Sequence, residues 1–284
     1  MKRVVMLALV LLLVLACVIG LAACSKKEAV EELASDGVEV PVELETLVPG
    51  KLTVATGQPA YPPWVEDDED LESGKGFEVA VTYALAEKLG FAHEDVIWVR
   101  TDFEAAIAPG PKDFDLNIQQ FSITEERRQV VDFSTPYYVT SQAVVVNADS
   151  KFADADSLEA LQGAKVGAAA GSTSLEVAQD KFKDVAVFND NDAAVQALSV
   201  GQIDAIVADI PTAYYMIGAQ LDDGKLLGEI EGSVGGDELA FLLPKDSPLT
   251  APVSAALDEL RADGTLDRLA AEWLVESAGA IVLR

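Results

Sequence analysis

An unbroken apolar run from Val4 to Ala23 opens the chain, a polar and acidic stretch continues to about residue 48, and from residue 51 short apolar runs alternate with amphipathic stretches. That alternation predicts an α/β body. Strands are expected at 52–56, 96–99, 114–118, 142–146, 165–168, 185–188, 205–208 and 238–243. Helices are expected at 77–89, 103–108, 175–182, 192–199, 212–217, 251–261 and 266–274. Gly90 ends the first helix as a glycine beyond a C-cap does, and Gly264-Thr265 parts the last two. No repeat of fixed period is present, and the loops are short where elements are dense, so one compact body follows the acidic stretch.

The opening residues carry an address. Met1-Lys2-Arg3 is a short basic start, and the apolar run closes on Leu21-Ala22-Ala23-Cys24. This resembles a bacterial lipoprotein signal, which implies a leader at 1–23, cut before Cys24, and a diacylglyceryl anchor on that cysteine. Two acyl chains hold a protein on a membrane where one binds marginally. The alternative is an uncleaved anchor, since the run is long enough to span a bilayer. Either way Lys2 and Arg3 stay inside and the body lies outside the cytoplasm, held at the cell membrane. Residues 24–49 read as the lipidated cysteine and a solvated acidic tether ended by Pro49-Gly50. Cys17 leaves with the leader, so no disulfide is expected within the remaining chain.

Charge narrows the partners. With 48 acidic residues against 20 basic, the formal charge is -28, and loss of Lys2 and Arg3 takes it to -30. Such a surface repels nucleic acid. The acidic run Glu66, Asp67, Asp68, Glu69, Asp70 and Glu72 lacks the ligand spacing of an EF-hand loop and reads as a solvated turn. His93, the sole histidine, reads as a surface residue. No metal or cofactor is expected, because cysteine and histidine are nearly absent.

Seven strings occur in order: Tyr61-Pro62-Pro63-Trp64; Gly76-Phe77-Glu78-Val79; Phe121-Ser122-Ile123-Thr124-Glu125-Glu126-Arg127; Val131 to Tyr138; Val166-Gly167 through Gly171-Ser172-Thr173; Ile203 to Asp209; and Leu260 to Thr265. Together they resemble the polar amino-acid family of bacterial periplasmic solute-binding proteins, from Lys51 to Leu274. The resemblance implies the α/β, two-lobed periplasmic-binding-protein type II fold with two crossover strands. It places lobe one at 50–140 plus 239–284 and lobe two at 141–238, with crossings near Thr140-Ser141 and Asp237-Glu238. It implies a monomer that closes on a free amino acid and delivers it to an ABC permease served by a separate ATPase subunit. The chain itself has no Gly-x-x-x-x-Gly-Lys-Ser/Thr phosphate loop.

A free amino acid presents a carboxylate and an ammonium one carbon apart, so its binder needs a cationic fork, a helix N-terminus and a counter-anion close together. Arg127 can supply the fork, and Ser172 with Thr173 sits at a strand-to-helix junction where free N–H groups favour an anion. Asp209 ends a strand and can pair with the ammonium beside Ser122 and a carbonyl near Gln120. Each has a plainer use: a solvated helix-start charge for Arg127, caps for Asp209, Ser122 and Thr173. Tyr61, Trp64 and Phe103 are expected around the ligand's side chain, with core packing the alternative for the first two. Gln119 and Gln120 stand where small residues are frequent in the family, and Gln58 where an acid is frequent, which points to a neutral or acidic polar ligand. Two rival functions remain open: a sensor module on the same lobes, and a dehydratase on the same fold.

Overall fold

Strand β1 (Leu52–Thr56) is buried at every position because both faces of its sheet are covered. The computed structural model describes residues 44–233, 236–274 and 281–284, so the leader, Cys24 and the tether as far as residue 43 lie outside the described residues. After β1 come α1 (Phe77–Lys88), β2 (Val96–Arg100), α2 (Phe103–Ile107), β3 (Leu116–Asn117), α3 (Glu125–Arg128), β4 (Val131–Phe133) and β5 (Tyr138–Thr140). Next are β6 (Gln142–Asn147), β7 (Lys165–Ala169), α4 (Thr173–Lys181), β8 (Asp184–Phe188), α5 (Asn191–Ser199), β9 (Ala205–Asp209), α6 (Ile210–Tyr215) and β10 (Gly224–Ile230). The chain finishes with β11 (Asp237–Leu239), β12 (Leu242–Pro244), α7 (Thr250–Ala262), α8 (Thr265–Trp273) and β13 (Val282–Leu283).

Two sheets organise the molecule. The first runs β2-β1-β3-β12-β4, with β12 antiparallel to its neighbours. Leu52 and Val54 of β1 pack with Phe77, Val81 and Leu85 of α1 and Leu257 of α7, while Ala55 faces Phe114, Phe121 and Phe133. The second runs β13-β10-β6-β9-β7-β8. Its central strand β6 alternates: Val144 and Val146 enter one core, Ala143 and Val145 the other. β5 and β11 pair antiparallel, Thr140 opposite Asp237 and Tyr138 opposite Leu239, and carry the chain from one sheet to the other and back.

Several elements differ from the sequence-based expectation. The strand expected at 238–243 is two strands: β11 pairs with β5, and β12 enters the first sheet, with Ala240 N donating to Phe121 O between them. The last residues, expected in lobe one, join the second sheet instead, where Glu229 N donates to Ile281 O and Glu231 N to Leu283 O. β4, β5 and β10 were not expected as strands; β10 carries a register irregularity at Leu226/Gly228 that interrupts its alternation. The acidic turn is not merely solvated, because Asp68 forms an ion pair with Arg100 at 2.6 Å and accepts from Ala60 N. His93 is exposed, with its ring stacked on Tyr83. Among the described residues no helix is long and apolar enough to cross a membrane.

Candidate functional site

The carboxyl ends of β1, β7 and β9, where open-sheet ligands bind, surround a cavity of about 150 Å³. A cavity of that size has room for a small polar molecule rather than a single water. Arg127, Ser122, Thr173, Ser172, Asp209 and Gln120 all line it, as do Tyr61, Phe103 and Gln119. Among the described lining residues Arg127 is the one cation, and Asp190 and Asp209 are the carboxylates.

Arg127 sits in the one-turn helix α3, whose N-cap Thr124 accepts from Arg127 N at 3.2 Å. Its side chain is 6% exposed and hangs between the two halves of the site: Nη1 donates to Ser122 O at 2.7 Å and Nη2 to Gly171 O at 2.8 Å. The guanidinium lies 5.6 Å from the centre of the Phe103 ring, which stacks on Phe121. Burial lowers its pKa, and the charges of Glu176, Asp237, Asp209 and Glu126 oppose that shift. None of these carboxylates reaches it in an ion pair within 4.0 Å. A guanidinium has five N–H donors in a fork, so donors remain for a carboxylate.

Opposite stands the start of α4. Ser172 is its cap: Oγ accepts from Leu175 N at 3.1 Å and donates to Ala169 O at 2.7 Å, which commits that hydroxyl to the fold. The N–H groups of Thr173 and Ser174, at the first helical positions, have no acceptor within a helix, so they supply the partial positive charge for an anion. Thr173 Oγ1 lies 3.1 Å from Ser122 Oγ, joining the two halves.

Asp209 occupies the N-cap position of α6 but makes no side-chain cap bond. Its carboxylate turns to Gln142 instead, whose Nε2 donates to Asp209 Oδ1 at 2.7 Å and also to Asp237. Ser174 Oγ fixes that amide from the other end, at 2.6 Å to Gln142 Oε1. Burial pushes the Asp209 carboxyl up to about 7; the charges of Asp237 and Glu78 raise it further, and the Gln142 bond and Arg127 oppose.

Sequence reading missed the support beneath Gln120. Glu78, 1% exposed in α1, accepts from Gln120 N at 2.7 Å, from Gln120 Nε2 and from Tyr137 OH. These bonds hold Gln120 at φ 50°, the left-handed region that a residue with a Cβ rarely occupies. Burial raises Glu78 to about 7 against those three donors. An acid between the apolar Phe77 and Val79 at the start of α1 was the available signal. Gln142 and Asp237 were also missed, at the starts of strands whose pattern drew attention to their apolar residues.

Two expected pocket residues stand elsewhere. Trp64 is 2% exposed and packs against Phe77 and Tyr138, with its indole N–H on Thr212 Oγ1 at 3.0 Å; its place is in the core, and it does not line the cavity. Gln58 is exposed and also outside the lining. Tyr61 does line it, and its hydroxyl donates to Asp192 Oδ2 at 2.8 Å.

Residues 52–276 match the model of the bacterial extracellular solute-binding proteins, family 3. A probable histidine-binding protein of Campylobacter jejuni is 31% identical over 235 residues, 79% of this chain and 86% of that protein. The L-cystine-binding protein TcyJ of Escherichia coli K12 is 30% identical over 219 residues, 75% of this chain and 79% of that protein. Among solved structures, an ancestral arginine-binding protein bound to arginine superposes with a TM-score of 0.65 at 34% identity, covering 79% of this chain and 98% of that one.

Proposed function

The chain belongs to the bacterial extracellular solute-binding proteins of family 3, and from that premise we propose that it captures a free α-amino acid outside the cytoplasm for an ABC importer. Its fold is the α/β type II fold of periplasmic amino-acid-binding proteins, two lobes joined by two crossover strands. The supporting observation is the opposition, across one small cavity, of the Arg127 guanidinium and the start of α4 to the Asp209 carboxylate. The ligand carboxylate takes the free donors of Arg127 and the N–H of Thr173; the ligand ammonium takes Asp209, Ser122 Oγ and the carbonyl of Gln120. Ligand binding then favours closure, because the ligand touches both halves only in the closed form. The lobes are 50–140 with 239–274, and 141–238 with the C-terminal strand.

The loaded, monomeric protein delivers the amino acid to a membrane permease whose ATPase is a separate subunit. This is capture without chemistry: the ligand's own charges are met by fixed charges, and no bond in it is asked to break. The basic start and Leu-Ala-Ala-Cys string support processing before Cys24 and a lipid anchor there; a mature N-terminus other than diacylglyceryl-Cys24 in intact mass spectrometry would refute that part. The neutral or acidic ligand preference expected from Gln58, Gln119 and Gln120 finds no support in the lining: Gln58 lies outside it, and the lining's one cation among the described residues is taken by the α-carboxylate.

The test is calorimetric titration of refolded, ligand-stripped protein and its Arg127→Ala variant with the twenty amino acids and prephenate. Wild type binds one or a few amino acids at one to one. The variant loses about 3 kcal/mol, more than a hundredfold in Kd, since a charge-assisted pair is removed and a carboxylate is left unpaired in a closed cleft. Unchanged affinity in the variant refutes the site, and turnover of prephenate refutes capture without chemistry.

A further inference from the structure

Among the lining residues outside the proposed contacts to the α-carboxylate and ammonium, Gln119, Tyr61 and Asp190 offer acceptors. Gln119 Oε1 is buried and has no hydrogen-bond partner among the described residues, although Gln119 lines the cavity. The amide is wedged against the chain by the absence of a side chain at Gly57, where a Cβ would lie 2.5 Å from Gln119 Nε2. A buried carbonyl left without a donor is costly, so such an atom marks where a ligand donor belongs. The loop that carries Gly57 continues to Tyr61, whose hydroxyl is committed as a donor to Asp192, leaving the oxygen as an acceptor. Asp190 lines the same cavity, and its charge acts on the Tyr61 hydroxyl together with those of Asp192 and Asp68. Asp190 Oδ1 caps α5 by accepting from Ala193 N at 2.8 Å, a bond that leaves its negative charge in place.

No cation other than Arg127 among the described lining residues is available to balance Asp190. Arg100, behind the loop, is bound to Asp68 and to Gly57 O and is not part of the lining. Once a ligand's carboxylate is met by Arg127 and its ammonium by Asp209, the lining retains one uncompensated negative charge, that of Asp190. Tyr61 adds an aromatic ring, whose face attracts a cation, while the Phe103 ring is already occupied by the Arg127 guanidinium. An acidic side chain would be repelled here, and an aliphatic one would leave the Gln119 carbonyl unpaired.

We propose that the amino acid captured carries a cation on its side chain, an ammonium or a guanidinium, received by Gln119 Oε1 and the field of Asp190. The assignment rests on the amino-acid-binding reading above, and its test separates the two. The purified full chain, unfolded and refolded to remove bound ligand, is titrated with L-arginine, L-lysine, L-glutamine, L-glutamate and L-leucine. Arginine or lysine binds at least tenfold more tightly than glutamine, with glutamate and leucine weaker still. Equal or tighter binding of glutamine, glutamate or leucine overturns the cationic assignment while the amino-acid reading stands. Silence from these five and from the other amino acids overturns both. Asp190→Asn isolates the charge, because asparagine caps a helix as well as aspartate does. It lowers the ratio of arginine to glutamine affinity about tenfold; an unchanged ratio overturns the part given to Asp190.

Discussion

At the scale of single residues, Asp209 is a group whose charge the solvent pH can set. Its carboxyl is raised to about 7, first by burial and then by Asp237, so the empty protein takes up a proton there as the pH falls through neutrality. A ligand ammonium favours the charged form and pulls that value back down, so binding below pH 7 must expel a proton. Affinity is therefore greatest above pH 7 and weakens by up to about tenfold per unit of acidification below it. Between pH 8 and pH 5.5 the Kd should rise on the order of tenfold or more in calorimetry. The sign for folding is opposite: a carboxyl raised from 3.8 favours the empty fold more as pH falls through 7, and Glu78, raised from 4.5 to about 7, adds to this. Acidification over that range should thus raise the melting temperature of the empty protein while narrowing its shift on adding ligand. A ligand-induced shift that is flat with pH would show that Asp209 does not meet the ammonium.

At the scale of elements, the strand legible least in the sequence is the one that fastens the C-terminus. β13 lies along β10, and Gly228 permits it: a Cβ there would stand 2.4 Å from Ile281 O. Gly228→Ala should push β13 off while sparing both central cores, because Leu283 is the one side chain of that strand in the core. In hydrogen exchange the amides of Glu229 and Glu231, which donate to Ile281 O and Leu283 O, should lose protection, and those of β6 and β9 should keep it. Unchanged protection at 229 and 231 would mean that the strand tolerates the side chain. Regular elements such as β1, α1 and β9 were readable because burial on one or both faces imposes apolar runs or periods. β10 and β13 were not, since Gly224, Gly228 and the register irregularity break the alternation that marks a strand. The cavity shows the same division. Arg127, Thr173 and Asp209 stand at element ends with chemistry of their own, and were readable. Glu78 acts through Gln120 from inside a helix, and Trp64 looks like a binding aromatic until Phe77 and Tyr138 are seen around it.

At the scale of the whole molecule, the proposed closure draws on contacts between the two halves, and Trp64 with Thr212 is one that can be removed without touching the cavity. The indole N–H donates to Thr212 Oγ1 at 3.0 Å, from the loop after β1 to the first turn of α6, and neither residue lines the cavity. Thr212→Val keeps the branched shape and deletes the acceptor, so the closed form must leave a buried donor unpaired while the open form can wet it. That costs the closed form about 1 kcal/mol or more. If ligand selects the closed form as proposed, the loss appears as a weaker Kd, about fivefold, although no atom in contact with the ligand has changed. The Tyr61 to Asp192 bond crosses the same gap at 2.8 Å, but Tyr61 also lines the cavity, so its removal would mix closure with contact. Calorimetry on Thr212→Val reads closure alone, provided the empty variant melts within a few degrees of wild type. A Kd equal to wild type would mean that the Trp64 bond forms equally well with and without ligand, and that closure draws on the contacts of Arg127 and Thr173 instead.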